Sequence, residues 1–120
     1  RVVLDATEPL PFNRQFDRIL VDAPCSGTGT LGRNPEIKWR LDAYDLIDLQ
    51  IRQKALLSNA LLHLKPGGIL VYATCSLEKE ENEDVVESVA VPAAATWRKV
   101  RRTPGTDPGD GFFSAVLTSN

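Results

Sequence analysis

The sequence predicts an α/β fold: the second half of a doubly wound sheet that ends in an antiparallel hairpin. Three observations carry this expectation. Two almost continuous apolar runs, within residues 16–22 and 69–73, have the composition of parallel strands covered on both faces. Between them lies a long stretch whose apolar residues recur at helical spacing. Near the end, β-favouring residues at Thr96, Trp97 and Val100 and again over 112–117 flank a turn rich in proline and glycine. Strand, strand, helix, strand, helix and hairpin, in that order, match half of a doubly wound sheet.

Each element has its own signals. Val2-Val3-Leu4 predicts a first strand ending at Asp5-Ala6, and Pro9, Pro11 and Asn13 punctuate the loop that follows. The run from Phe16 to Asp22 predicts the next strand. Residues 23–41 contain Pro24, Gly27, Gly29, Gly32 and Pro35 and read as a long ordered loop, a length that usually serves a function. Asp42 suits a helix N-cap, while Asp45 and Asp48 complement the positive end of the dipole. Leu46, Leu49, Leu56, Ala60 and Leu64 extend the helical pattern over 43–64, and Lys65-Pro66-Gly67-Gly68 stops it. Residues 69–73 predict a second buried strand ending at Thr74-Cys75-Ser76, followed by a helix over 79–90. A turn region over 103–111 leads into the last strand.

Composition sets the limits. The chain has 120 residues, 42% of them hydrophobic, with 14 basic and 16 acidic side chains and a net charge of −2. That allows one domain and excludes a disordered tail. No apolar run approaches the ~20 residues of a membrane span, and no signal peptide is evident, so no membrane partner is expected. Two cysteines are too few for a disulfide scaffold and point to a reducing, cytoplasmic setting. The absence of methionine and the apolar start suggest a piece of a longer polypeptide. The net charge argues against a broad basic face for nucleic acid. Six acids and one lysine between Glu78 and Glu87 read as a solvated helix face. Arg98, Lys99, Arg101 and Arg102 read as a solvated strand, with a small phosphate-contacting edge as the alternative.

Gly27-Thr28-Gly29-Thr30-Leu31-Gly32 has the G-x-G-x-x-G spacing directly after a strand. Its context is wrong for a dinucleotide site, because the glycines run into Arg33-Asn34-Pro35 rather than into a helix. Tight turning, or close backbone approach to a ligand, is the better reading. The two cysteines are more informative. Asp22-Ala23-Pro24-Cys25-Ser26 follows one strand and Thr74-Cys75-Ser76 ends another, so both thiols are expected in the crevice at the carboxyl ends of the strands. A single such cysteine would read as a small buried hydrophobe. No C-x-x-C pair is present and the one histidine, His63, lies at a helix end as a cap or surface residue, so no metal is expected. A cysteine–histidine hydrolase is equally poorly supported. Two thiols and a carboxylate do suit attack on an electron-poor ring. A thiolate adds to C6 of a pyrimidine, C5 becomes a carbon nucleophile, a carboxyl group at N3 supports the developing charge, and a second thiol assists release.

Residues 16–29 (FDRILVDAPCSGTG) resemble motif IV of the Sun/Nop-type RNA (cytosine-5) methyltransferases. Asn34-Pro35-Glu36-Ile37-Lys38-Trp39 resembles the segment after it. Leu64-Lys65-Pro66-Gly67-Gly68, Tyr72-Ala73-Thr74-Cys75-Ser76 and Glu80-Glu81-Asn82-Glu83 resemble the motif VI region, and Asp110-Gly111-Phe112-Phe113 the closing strand. Within the family the chain is most similar to the bacterial Sun proteins that methylate small-subunit ribosomal RNA.

The resemblance implies a Rossmann-like, S-adenosylmethionine-dependent methyltransferase sheet and an RNA substrate, ribosomal RNA foremost. It implies Cys75 as the nucleophile, Cys25 as the cysteine that helps release the product, and Asp22 between methyl donor and target base. Asp5 resembles the acid that holds the donor's adenine, and Lys38 orders the active-site loop, meets RNA or is simply solvated. By the same resemblance, residues 1–120 form part of a catalytic domain without its donor-binding glycine loop or its N-terminal RNA-binding region. The chain alone is then expected to be weak or inactive and to bind donor poorly. Two other classes stay open: a non-enzymatic RNA-binding or assembly module of the same fold, and a nucleotide-dependent oxidoreductase using the glycine loop.

Overall fold

The computed structural model describes residues 1–104 and 110–120. Strands β1 (Phe16–Asp22) and β2 (Leu64–Thr74) run parallel, linked through a short helix α1 (Ile37–Arg40) and the long helix α2 (Ala43–Leu62). Helix α3 (Glu83–Ala90) follows, then β3 (Thr96–Thr103) and β4 (Phe112–Thr118). The strand order is β1-β2-β4-β3, with β4 antiparallel to both neighbours, so the expected hairpin is present and its second strand lies inside. Within the expected 103–111 turn, residues 105–109 lie outside the described residues.

Helix α2 starts where its sequence says it should. The Asp42 side chain accepts from the Asp45 amide at 2.9 Å, and the Asp45 carboxylate accepts from the Asp42 amide at 3.2 Å, a reciprocal capping box. The helix ends at Leu62, two residues earlier than its periodicity predicts, because His63 caps it and Leu64 already pairs with Phe16. Lys65-Pro66-Gly67-Gly68 is therefore the irregular start of β2, not only a helix stop. Pairing passes from Phe16↔Leu64 to Arg18↔Ile69, and the surplus is absorbed at Pro66, which has no N–H to offer, and Gly67, at φ +75°.

The core forms on one face of the sheet. Leu70 and Tyr72 of β2 and Phe113, Ala115 and Leu117 of β4 meet Leu57 and Ala60 of α2 and Val85, Val86, Val89 and Ala90 of α3. Full burial of each larger side chain contributes about 1.5–3 kcal/mol. Strand β1 is not covered on both faces, as its apolar run predicts. Ile19 and Val21 turn to the core, whereas Leu20 is 70% exposed on the opposite face, where no described element lies.

Two further expectations are corrected. Val2–Leu4 forms no strand, and Val3 is 94% exposed. β1 pairs only with β2, so three residues of extended chain have no described ladder to join. The chain instead turns at Asp5, whose Oδ1 accepts from the Thr7 amide at 3.0 Å and the Thr7 hydroxyl at 2.6 Å. Asn59 of α2 holds this turn by donating to the carbonyls of Ala6 and Glu8. The helix expected over 79–90 is split: a 3-10 turn at Lys79–Glu81 is followed by Asn82 at φ −112°, ψ −101°, and α3 begins after it. In β3, Lys99 pairs with Ala115 and Arg101 with Ser114, leaving Val100 as a bulge. Among the described residues no helix is long and apolar enough to cross a membrane.

Candidate functional site

The parallel register Asp22↔Ala73 brings the carboxyl ends of β1 and β2 level, and the Ala23 amide extends the ladder to the Ala73 carbonyl at 2.9 Å. The loops leaving these ends place the Sγ atoms of Cys25 and Cys75 3.1 Å apart, both half-buried and both free thiols. The expectation of two thiols in one crevice is met.

The glycine loop makes this approach possible. Gly27 takes φ +75°, and Thr28–Thr30 form a 3-10 turn. The Gly29 amide donates to the Cys75 carbonyl at 2.8 Å, and the Gly111 amide donates to the Gly29 carbonyl at 2.6 Å. A Cβ at Gly29 would lie 2.3 Å from the Gly111 oxygen and 2.6 Å from the Cys75 oxygen, so only glycine fits. The loop thus serves close backbone packing, and the oxidoreductase alternative loses the helix N-terminus it requires.

The acidic run hides what the sequence does not reveal. Glu81 is fully buried, not solvated. Its Oε1 accepts from the Ser26 amide at 2.8 Å and from Gln53 Nε2 at 3.0 Å. Its Oε2 accepts from the hydroxyls of Ser26, at 2.6 Å, and Ser76. Four donors satisfy the acceptor-only carboxylate that burial would otherwise penalise. The Tyr72 hydroxyl donates to the Glu81 carbonyl at 2.7 Å. Asn82, also fully buried, accepts from Thr74 and donates to the Ser76 carbonyl. One signal does point inward: Glu81 stands four residues before Val85 and eight before Val89, on the stripe that α3 buries.

The surroundings also set the character of one thiol. Burial first, then its hydrogen bond with Cys75, pushes the Cys25 thiol from 9.0 up to about 12, so it keeps its proton at neutral pH. Asp22 stands exposed at the end of β1, and its carboxylate makes no hydrogen bond or ion pair among the described residues. Beside Cys25 and Ser26 opens a cleft of about 390 Å³ walled by Ile37, Arg40, Leu41, Leu49, Asp45 and Asp48.

Among the described residues, none of the other candidates bonds either thiol. No described hydrogen bond or ion pair links Asp5 to the cysteine loops, and Thr7 holds its carboxyl below the usual carboxylate range. Lys38 is exposed, its Nζ 5.6 Å from the Trp39 ring. His63 caps α2 and faces the Arg14 carbonyl, as expected of a cap residue. Arg98, Lys99 and Arg101 are exposed on β3 as expected, whereas Arg102 pairs with Glu83 and donates to the Leu77 carbonyl at 3.0 Å.

Known proteins share both sequence and geometry. Residues 2–97 match the family model described as 16S rRNA methyltransferase RsmB/F. The ribosomal RNA small subunit methyltransferase B of Enterobacter sp. (strain 638) is 46% identical over 114 residues, covering 88% of this chain and 27% of that protein. Its counterpart from Klebsiella pneumoniae (strain 342) is 43% identical over 117 residues, covering 88% and 26%. The chain therefore spans about a quarter of the length of these relatives. A methyltransferase homologue from Pyrococcus horikoshii superposes with a TM-score of 0.75 at 34% identity, covering 90% of this chain and 40% of that one. NSun6 from Pyrococcus horikoshii, solved with SFG, superposes at 0.81 with 26% identity, covering 98% and 34%. With the family model spanning most of its length and the strand-end cysteines in place, the chain belongs to the 16S rRNA methyltransferase RsmB/F family.

Proposed function

We propose that residues 1–120 form the reaction-centre part of a longer cytoplasmic enzyme that methylates C5 of cytosine in ribosomal RNA, with S-adenosylmethionine as methyl donor. The observation that carries this reading is the 3.1 Å approach of two free thiols at the ends of adjacent parallel strands. Cys75 Sγ, as thiolate, adds to C6 of the cytosine, the electron pair of the C5–C6 double bond shifts to C4–C5, and that of the C4–N3 bond moves onto N3, leaving C5 nucleophilic. The Asp22 carboxyl supports the charge at N3. When bound, S-adenosylmethionine would offer its sulfonium methyl group to C5, the S–CH3 bond breaking to leave a neutral thioether. Loss of the C5 proton then expels Cys75 and restores the aromatic ring. Cys25 assists that release by hydrogen bonding to the departing sulfur, a role supported by its retained proton and the 3.1 Å separation of the two Sγ atoms.

The residues present suit the donor. Among the described residues Asp22 offers an unpartnered, exposed carboxylate at the strand end, and Asp5 has no partner for Oδ2 while Thr7 occupies Oδ1. The SFG in the NSun6 structure, an analogue of S-adenosylmethionine, supports the same reading.

Covalent trapping tests it. The full-length enzyme should form an adduct with RNA containing 5-azacytidine, stable to denaturing electrophoresis. Cys75→Ala should abolish the adduct and Cys25→Ala should retain it. The reverse pattern would exchange the roles of the two cysteines.

A further inference from the structure

Two consecutive residues hold the chain around the two cysteines, Asn82 directly on both sides of Cys75 and Glu81 on one side of Cys25 and through Gln53 on the other. Pro24 and Ser26 flank Cys25: the Ser26 amide donates to Glu81 Oε1 at 2.8 Å, while Gln53, bonded to the same oxygen at 3.0 Å, donates to the Pro24 carbonyl at 2.8 Å. Thr74 and Ser76 flank Cys75: Asn82 Oδ1 accepts from the Thr74 hydroxyl at 2.6 Å, and Asn82 Nδ2 donates to the Ser76 carbonyl at 2.8 Å. Glu81 Oε2 then joins the two brackets by accepting from the hydroxyls of both Ser26 and Ser76. Gln53, Glu81 and Asn82 are fully buried and Ser26 is half-buried, which strengthens these bonds relative to bonds in open solvent.

The broken helix explains how neighbours can do this. In a continuous helix successive side chains diverge by about 100° around the axis. The turn at Asn82, φ −112° and ψ −101°, re-aims the chain so that both side chains reach the strand-end loops. We propose that Glu81 and Asn82 are positioning residues that set the distance between Cys25 and Cys75. The proposal rests on the proposed function, in which one thiol must lie within hydrogen-bond reach of the other, and a displacement of about 1 Å in such a pair costs on the order of 100-fold in rate.

The chain has only two cysteines, so its equilibrium with oxidised glutathione reports on this pair alone. Two cysteine thiols and one glutathione disulfide give the Cys25–Cys75 disulfide and two glutathione thiols. Glu81→Gln and Asn82→Ala should each lower that equilibrium constant by about tenfold, about 30 mV, in chains whose circular dichroism is unchanged. The double variant Ser26→Ala/Ser76→Ala leaves Glu81 in place, removes two of its donors, and should lower the constant several-fold. It carries the test if Glu81→Gln does not fold. In the full-length enzyme, Glu81→Gln should lower kcat tenfold or more while KM for RNA stays within twofold. A constant within twofold of the parent in folded Glu81→Gln or in the double serine variant overturns the proposal, as does a raised KM with unchanged kcat. The thiol equilibrium requires no methyl transfer, so its failure is read separately from a failure of adduct trapping.

Discussion

The Gly29 amide donates to the Cys75 carbonyl at 2.8 Å, joining the two cysteine loops through main chain alone. A methyl group at Gly29 would meet two backbone oxygens, at 2.3 and 2.6 Å, and neither can swing aside as a side chain could. Gly29→Ala is expected to destabilise the chain by about 2–3 kcal/mol, the upper range for overpacking. Gly32→Ala, with open space around the added methyl, should stay within about 0.5 kcal/mol. Urea denaturation of both variants checks the contrast.

Leu57 is fully buried at the centre of α2, whereas Leu62, at the end of the same helix, is 74% exposed. Leu57→Ala should cost about 3 kcal/mol and lower Tm by about 10–15 °C. Leu62→Ala should change stability by less than about 0.5 kcal/mol. Thermal melts of the two variants in one buffer measure the difference.

The folded chain keeps the Cys25 proton up to about pH 12, while the unfolded thiol loses it near 9.0. Over that window the folded state binds more protons than the unfolded one, so stability falls as pH rises. Below pH 9 this contribution is fully present; through pH 12 it disappears. Cys25→Ala should lack this component, and the gap between parent and variant in denaturant midpoint should change between pH 8 and pH 11. A gap independent of pH would contradict the assignment.

Arg102 reaches Glu83 with the pair only partly exposed, and its second nitrogen donates to the carbonyl of Leu77, two residues after Cys75. Arg102→Ala should cost about 1 kcal/mol, more than an open surface pair because a backbone acceptor is also lost. Arg98→Ala, exposed on the same strand, should be near neutral. Equilibrium denaturation separates the two.

Elements with local punctuation were legible in the sequence. Asp42 and Asp45 mark the start of α2, the apolar runs mark β1 and β2, and the strand-end positions of Cys25 and Cys75 mark the site. What the sequence concealed depended on partners distant in the chain. Val2–Leu4 has strand composition, but a strand exists only where a neighbouring ladder accepts it. Leu20 has the composition of a covered residue, yet the helices lie on the other face. Of the acids around Glu81, Glu80 and Glu87 are exposed as composition suggests, whereas Glu83 is half-buried against Arg102, and only the serines after each cysteine and Gln53 on α2 make the burial of Glu81 tolerable. Asn82 interrupts a sequence of good helical pattern because its side chain is committed to Thr74 and Ser76.

The bulge at Val100 determines which of two adjacent arginines serves the loop after Cys75. Regular pairing beyond Lys99 would set Val100 opposite Ser114 and Arg101 opposite Phe113. With Val100 left out of the ladder, Arg102 takes the place opposite Phe113 and reaches Glu83 and Leu77, while Arg101 lies over the Phe112 ring. The two side chains are chemically identical, so the choice between them is made by counting alone. One uncounted residue acts as a phase shifter, which makes the spacing of this edge strand as much a part of its information as its side chains.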